Sequence, residues 1–249
     1  MMDPAIAWGI EAARGLGLNY AFLTDAYDRA SFVHGAWITV QLVVCTLAGS
    51  LVAGVAMAAL LTSRRPLLAG ATRAFVEVTR NTPTLVQLYC AFLVLNMLIT
   101  HALQDAQRSN PLTPFLWVVL VLSLHKGVFH AEALRAGIEA VPSVTLEAAA
   151  SLGFDRRTLL WRVQLPLAVR FALPALVNNS VDLVKATAVA SAIAVGDITY
   201  ASIMIWTQRD NVLELMVLLL LFFGLLTWVV SQAGNWLELR LRMPGYGDR

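Results

Sequence analysis

Charge is scarce in this chain: 14% of its 249 residues are Asp, Glu, Lys or Arg, while 58% are hydrophobic. A soluble domain carries about a quarter of its residues charged, so an ordinary water-facing surface is excluded. The mean hydropathy of +0.68 agrees. Lysine is nearly missing, with Lys126 and Lys185 alone against sixteen arginines. The basic residues form no stripe with interleaved aromatics, which argues against a nucleic-acid partner. Cysteine is limited to Cys45 and Cys90, both inside apolar runs without CxxC spacing, so they read as buried free thiols. There is no G-x4-G-K-[ST] segment, and hence no phosphate-cradling loop of the chain's own. His125 and His130 fit no zinc-binding spacing and read as hydrogen-bonded interior histidines. A membrane serine protease would need a Ser–His pair at span ends, and no such motif is present. Internal repeats and low-complexity tracts are also absent. Asp3, Glu11 and Arg14 interrupt what would be the apolar core of a signal peptide, so insertion is expected to rely on the membrane helices themselves.

What the chain does have is long apolar runs. Residues 36–61 contain no charge at all, enough to cross a bilayer that needs about twenty residues of helix. Arg64, Arg65 and Pro66 end this run. A second helix is expected over roughly 67–100, broken near Asn81-Thr82-Pro83, because proline removes a backbone donor and disfavours helix in the residue before it. Within a membrane such a break is tolerated only against protein or a water-filled cavity. A third span runs from about 114 to 136 and carries His125, Lys126, His130, Glu132 and Arg135 in its second half. A polar segment follows at 139–170, with a helix expected from Thr145 and with Ser143 and Thr145 as candidate caps. A fourth span covers about 171–195, a short piece 197–206, and a fifth span 215–236. The fold class is therefore all-α integral membrane with five transmembrane helices.

Orientation follows from arginine asymmetry. With the connections taken alternately, one side receives Arg64, Arg65, Arg73, Arg156, Arg157, Arg162, Arg170, Arg240, Arg242 and Arg249. The other receives Arg14, Arg29, Arg108 and Arg209. Ten against four places the N-terminus outside, and the long loop between spans 3 and 4 in the cytoplasm with the C-terminus.

That loop carries the sharpest pattern. Residues 147–166 read EAAASLGFDRRTLLWRVQLP and match EAA-x3-G-x9-[IV]-x-L-P through Glu147, Ala148, Ala149, Gly153, Val163, Leu165 and Pro166. An acidic residue near the positive end of a short helix, small alanines, a glycine turn and a proline at membrane re-entry make a compact docking element. The segment resembles the coupling loop of permease subunits in bacterial ATP-binding-cassette (ABC) importers. Further segments narrow the resemblance. RNTPTLVQLY at 80–89 is similar to the RGTP-x-LVQ signature of polar-amino-acid permeases of the histidine and glutamine type, with Asn81 replacing the usual glycine. NNSVDLVKATAVASAIAVGDIT at 178–199 and AEALRAGIEAVP at 131–142 resemble two more of that family's segments.

The resemblance implies an extracytoplasmic segment at 1–34, a transmembrane permease domain at 35–238 with its coupling loop at about 139–170, and a cytoplasmic tail at 239–249. It implies a non-catalytic subunit in the bacterial inner membrane, holding no cofactor of its own. Its partners would be an ATP-binding subunit dimer carrying ATP and magnesium, a second identical or homologous permease, and an extracytoplasmic solute-binding protein. An ionisable residue within a span costs about 2.5 to 3.5 kcal/mol and so marks a candidate pathway. Arg80, Lys126, Asp182 and Lys185 qualify. Asp182 and Lys185, three apart, can also simply pair on one helix face, and Arg80 can snorkel to the interface. Glu77 and Arg73 read as a helix-surface pair. In the resembled family a cationic-substrate cavity uses the Arg of RGTP, a Glu and a Lys. Here Arg80 and Lys185 match, but Asn179 stands at the Glu position and Ala186 replaces an Asp. The expected cavity therefore leans positive, suiting, within the polar amino acids and their derivatives, a solute with surplus carboxylate such as an acidic amino acid or an opine-like conjugate; the alternative is that the partner permease holds the pocket.

Overall fold

The computed structural model describes residues 15, 18–63, 65–105 and 107–241. Much of the 1–34 segment and most of the 239–249 tail lie outside these. After a short 3-10 turn, Ala21–Leu23, come eight helices among the described residues. They are α1 (Ala26–Leu61), α2 (Pro66–Arg80), α3 (Thr84–Asp105), α4 (Pro114–Glu139), α5 (Ser143–Ser151), α6 (Arg156–Ile193), α7 (Ile198–Arg209) and α8 (Val212–Leu241). The five long apolar ones, α1, α3, α4, α6 and α8, are the membrane spans.

Local sequence explains where the helices start. Asp25 accepts hydrogen bonds from the amides of Tyr27 and Asp28, so α1 begins at Ala26, ahead of the boundary expected near residue 35. Prolines open α2 and α4, where a missing amide hydrogen is harmless. The helix expected over 67–100 breaks where expected, at Asn81-Thr82-Pro83; α2 stops at Arg80, and only α3 is a span. At the far end of α6, Ala194 and Gly196 take left-handed backbone conformations. The chain then turns into α7, which Asp197 caps through the amides of Thr199 and Tyr200.

Packing runs α1 on α4, α4 on α6 and α6 on α8, with α7 laid against the beginning of α1. Lipid tails are as apolar as leucine, so burial alone does not drive helices together; close backbone approach does. The contacts accordingly fall on small residues. A Cβ added to Gly127 of α4 would lie 2.7 Å from the Ala53 Cβ of α1, and one on Gly54 of α1 would lie 2.6 Å from the His130 Cβ. Gly137 of α4 meets Ala168 and Ala172 of α6, and Gly35 meets the backbone of Asp197. Thr39 fastens the last contact, accepting from the amide of Ile198 while donating to Gly35 O. Leu42, Leu88, Trp117, Val118, Leu122 and Ile193 fill the space between α1, α3, α4 and α6.

Polar contacts tie the first turn of α1 and the residues before it to the α7–α8 corner. Arg209 pairs with Asp25 at 2.6 Å and with buried Asp28, while buried Glu214 accepts from the Asn19 amide at 2.6 Å. The backbone amide of Tyr27, and next the Arg209 guanidinium, hold the Asp25 carboxyl below its ordinary range.

Cys45 and Cys90 are free but exposed, not buried. The outside of a membrane helix is itself apolar, so apolar neighbours in sequence do not imply burial. Among the described residues no ion pair joins Arg73 to Glu77.

The α1–α4 seam predicts that Gly127→Leu lowers the thermal stability of the purified protein in detergent by about 1–3 kcal/mol through overpacking. Gly70→Ala, where an added Cβ meets nothing within 4 Å, leaves it unchanged or slightly raised.

Candidate pathway face and cytoplasmic-type loop

The break between α2 and α3 is held together by side chains. Asn81 turns back on α2, its Nδ2 donating to Glu77 O at 2.8 Å, and Thr82 Oγ1 donates to Val78 O at 2.9 Å. Pro83 is extended and starts α3. Gln87, one turn into α3, donates from Nε2 to Thr79 O at 2.9 Å and to Thr82 O at 3.2 Å. Those carbonyls orient the amide, so its Oε1 faces His125 Nδ1 at 3.1 Å and accepts from it. His125 Nε2 then accepts from Thr84 Oγ1 at 2.9 Å. Both ring nitrogens of His125 thus have partners, and the residue joins α4 to the break.

One turn along α4, Phe129 gathers the charges. Its ring lies 5.4 Å from that of His125 and 5.5 Å from Lys126 Nζ, with the Arg80 guanidinium 6.0 Å away on the α2 side. Arg80, half exposed, reaches Glu132 at 3.6 Å; Glu132 is also held by Arg135 at 3.0 Å, and Arg135 by Glu139 at 2.6 Å. From α6, Lys185 donates to Asp182 at 3.0 Å, both side chains about 60% exposed. Lys126 lies close enough to feel the charges of both. Four of the five candidate pathway residues, Arg80, Lys126, Asp182 and Lys185, therefore share one electrostatic neighbourhood. Asn179, half-buried and three residues before Asp182, makes no hydrogen bond to them.

The carboxylates of this face are already taken, Glu132 by two arginines and Asp182 by Lys185. Among the described residues Lys126 has no carboxylate within ion-pair distance. His130, expected to be bonded, is not: it is fully buried at the α1–α4 seam and both ring nitrogens lack a partner. Its ring enters the seam beside Gly54, where the neighbouring backbone groups are already engaged in helices.

The loop after α4 forms α5 and then enters α6. Ser143 is the first residue of α5 behind Pro142, and no side chain caps that end, so the expected Ser/Thr cap is not formed. Glu147 sits beyond the first turn, too far along to meet the helix dipole at its start. The other end behaves as its glycine requires. Gly153 has φ +86°, its amide donates to Ala150 O at 3.0 Å and that of Phe154 to Ala149 O at 3.3 Å, the paired bonds of a Schellman closure. Ala149 is buried, Glu147 and Ala148 are exposed, and Leu152 and Phe154 project at the tip. Val163, Leu165 and Pro166 lie within α6, Val163 in its π-helical turn, Leu160–Gln164, and the other two just after it.

Residues 28–243 match the family model described as the binding-protein-dependent transport system inner membrane component. The chain belongs to this family. It is 33% identical over 196 residues to a glutamate transport system permease protein of Corynebacterium efficiens, covering 78% of this chain and 85% of the relative. An octopine transport system permease protein of Rhizobium meliloti is 33% identical over 174 residues, 68% of this chain and 69% of its own. A crystal structure of an amino acid ABC transporter with histidines superposes with a TM-score of 0.73 at 26% identity, over 88% of this chain and 98% of that one. The protein is a multi-pass permease subunit of an ABC importer, the transport component of such a system.

In this permease Gln87, Thr84, Phe129 and Glu132 join the candidate residues although sequence reasoning did not name them as such. Gln87 stood inside the RNTPTLVQLY motif, and that was the available signal; Phe129 gave none, because its role comes from α2 and α4 meeting. Gln87→Leu should remove two donors and one acceptor at a half-buried break and lower thermal stability by about 1–2 kcal/mol, whereas Gln104→Leu, at the opposite end of α3, should not.

Proposed function

We propose that this permease lines one half of a route carrying a polar amino acid or amino-acid derivative into the cytoplasm, and that Lys126 receives the solute's carboxylate. The observation that carries the reading is the unshared charge. Lys126 stands half-buried on a membrane helix beside a broken helix, and its neighbours' carboxylates are occupied. A charge in that setting is costly unless something pairs with it. The missing carboxylates at Asn179 and Ala186 point the same way. Lys185 and Asp182 face outward from a single chain, so a second permease, identical or homologous, completes the wall.

The reading includes an ATP-binding subunit dimer, with its ATP and magnesium, docked on α5 around Glu147, Ala148, Ala149 and Gly153. An extracytoplasmic solute-binding protein serves the other side, and the N-terminus lies outside, as the arginine asymmetry indicates. Alternating access then comes from the two permeases rocking against each other. In a reconstituted complex with its ATP-binding subunit and binding protein, Lys126→Ala or Lys185→Ala should raise the apparent KM for uptake about tenfold, the worth of a charge-assisted hydrogen bond. Unchanged KM in both variants would reject the site.

A second cargo reading is an opine-like conjugate, which carries more carboxylate than a plain amino acid; the octopine relative favours it. Competition of glutamate, glutamine and an opine against one labelled solute separates the two. For the loop, Gly153→Val forces a branched side chain into left-handed backbone at a cost of about 1–2 kcal/mol. The expected result is reduced ATP hydrolysis stimulated by loaded binding protein, with the isolated ATP-binding subunit unaffected.

A further inference from the structure

Where α6 begins and α8 ends, two clefts share Trp161 as a common wall. One, about 430 Å3, is lined by Trp161, Leu165, Pro166, Val169, Arg170 and Leu241. The other, about 290 Å3, is lined by Arg157, Thr158, Trp161 and Arg162. The first is apolar with one guanidinium at its edge, and the second is cationic. Both lie at the ends of membrane-length helices, where chain leaves hydrocarbon for water.

Two further observations bear on what fills them. Among the described residues Arg156, Arg157, Arg162 and Arg170 form no ion pair, and Arg170 Nη1 is buried without a hydrogen-bond partner. An unpaired buried donor on a permanent cation is costly, so an anion is the missing partner. The indole of Trp161 is 64% exposed. Near the end of α8, Trp236 is 55% exposed and lies under Arg240, whose guanidinium is 4.2 Å from the ring. Indoles beside arginines at the ends of spans mark the headgroup level of a bilayer.

We propose that the two adjoining clefts together are a binding site for an anionic phospholipid. Its phosphate is held by Arg162 from the cationic cleft and by Arg170 reaching from the edge of the apolar one, and its acyl chain lies along Leu165, Val169 and Leu241. The apolar cleft is what selects a lipid over free phosphate, since inorganic phosphate gains nothing from it, and a basic pocket between span ends is the arrangement that favours anionic headgroups. Leu165 and Pro166 line the same cleft, so the lipid braces the point at which the loop returns to the membrane. The site does not depend on which solute the permease carries.

The test uses the complete complex with its ATP-binding subunit, in nanodiscs of phosphatidylcholine with phosphatidylglycerol carrying a photoreactive acyl chain. Cross-links should map to residues 161–170 and 241, and native mass spectrometry should find phosphatidylglycerol retained on the complex. Arg162→Ala with Arg170→Ala should weaken retention about 25-fold, taking roughly fivefold for each guanidinium lost from an anionic surface. The double lysine variant should keep most of it, and Arg73→Ala on α2 should change nothing. If the alanine variant fails to assemble, the cross-linking map of the unaltered complex decides. Equal retention in the alanine variant, cross-links elsewhere, or release of the lipid by inorganic phosphate alone would overturn the proposal. So would a cleft that the ATP-binding subunit covers and closes to the probe, which would assign these arginines to that subunit.

Discussion

Helix contact in lipid depends on how closely two backbones can approach, and in this permease the α1–α4 seam sets that distance. Gly54 and Gly127 leave no room for a Cβ, and Ala53 and Met57 pack into what remains. Since hydrocarbon surrounds both helices, this fit replaces the hydrophobic drive that would join them in water. Helix α4 then acts as the centre of the bundle. Its other sides meet α6 through Gly137 and hold α3 through His125, so the charged face exists only because α4 is held in one rotation.

The broken helix has a cost and a repair of its own. Carbonyls freed at Thr79 and Thr82 lose their helical partners just before the chain enters a span, and Gln87 serves both. The repair spends one amide's donors on the break and turns its acceptor to His125. A structural mend thereby fixes the imidazole that stands next to Lys126. Stability of the break and shape of the candidate pathway are consequently carried by the same few atoms.

On the charged face, attractions are arranged unevenly. Exposed pairs such as Lys185 with Asp182 contribute little by themselves, because screening and side-chain entropy offset most of the Coulomb gain. Their significance lies in using up the carboxylates. Lys126 is left as the charge with no shared partner beside an aromatic ring, and that asymmetry, more than the number of charges, gives the face its sign.

Much of this was legible from residue order alone. Span count follows from apolar runs, because bilayer thickness imposes a length that soluble helices do not need. The break at Pro83 and the turn at Gly153 follow from backbone chemistry local to those residues. The i, i+3 pairing of Asp182 with Lys185 follows from helical spacing. Contacts between segments distant in sequence were not legible. Phe129 between Arg80 and Lys126, the Arg80–Glu132 pair, and the unpartnered ring of His130 arise from how α2, α3 and α4 are rotated. Burial also misled at Cys45 and Cys90, since an apolar run in a membrane helix does not say which of its sides meets lipid. Sequence determined which segments cross and where they break, because those depend on local hydropathy and backbone geometry. Only the tertiary structure decided which charges share a neighbourhood and which stands alone, because helix rotation is set by side-chain fit across the seams.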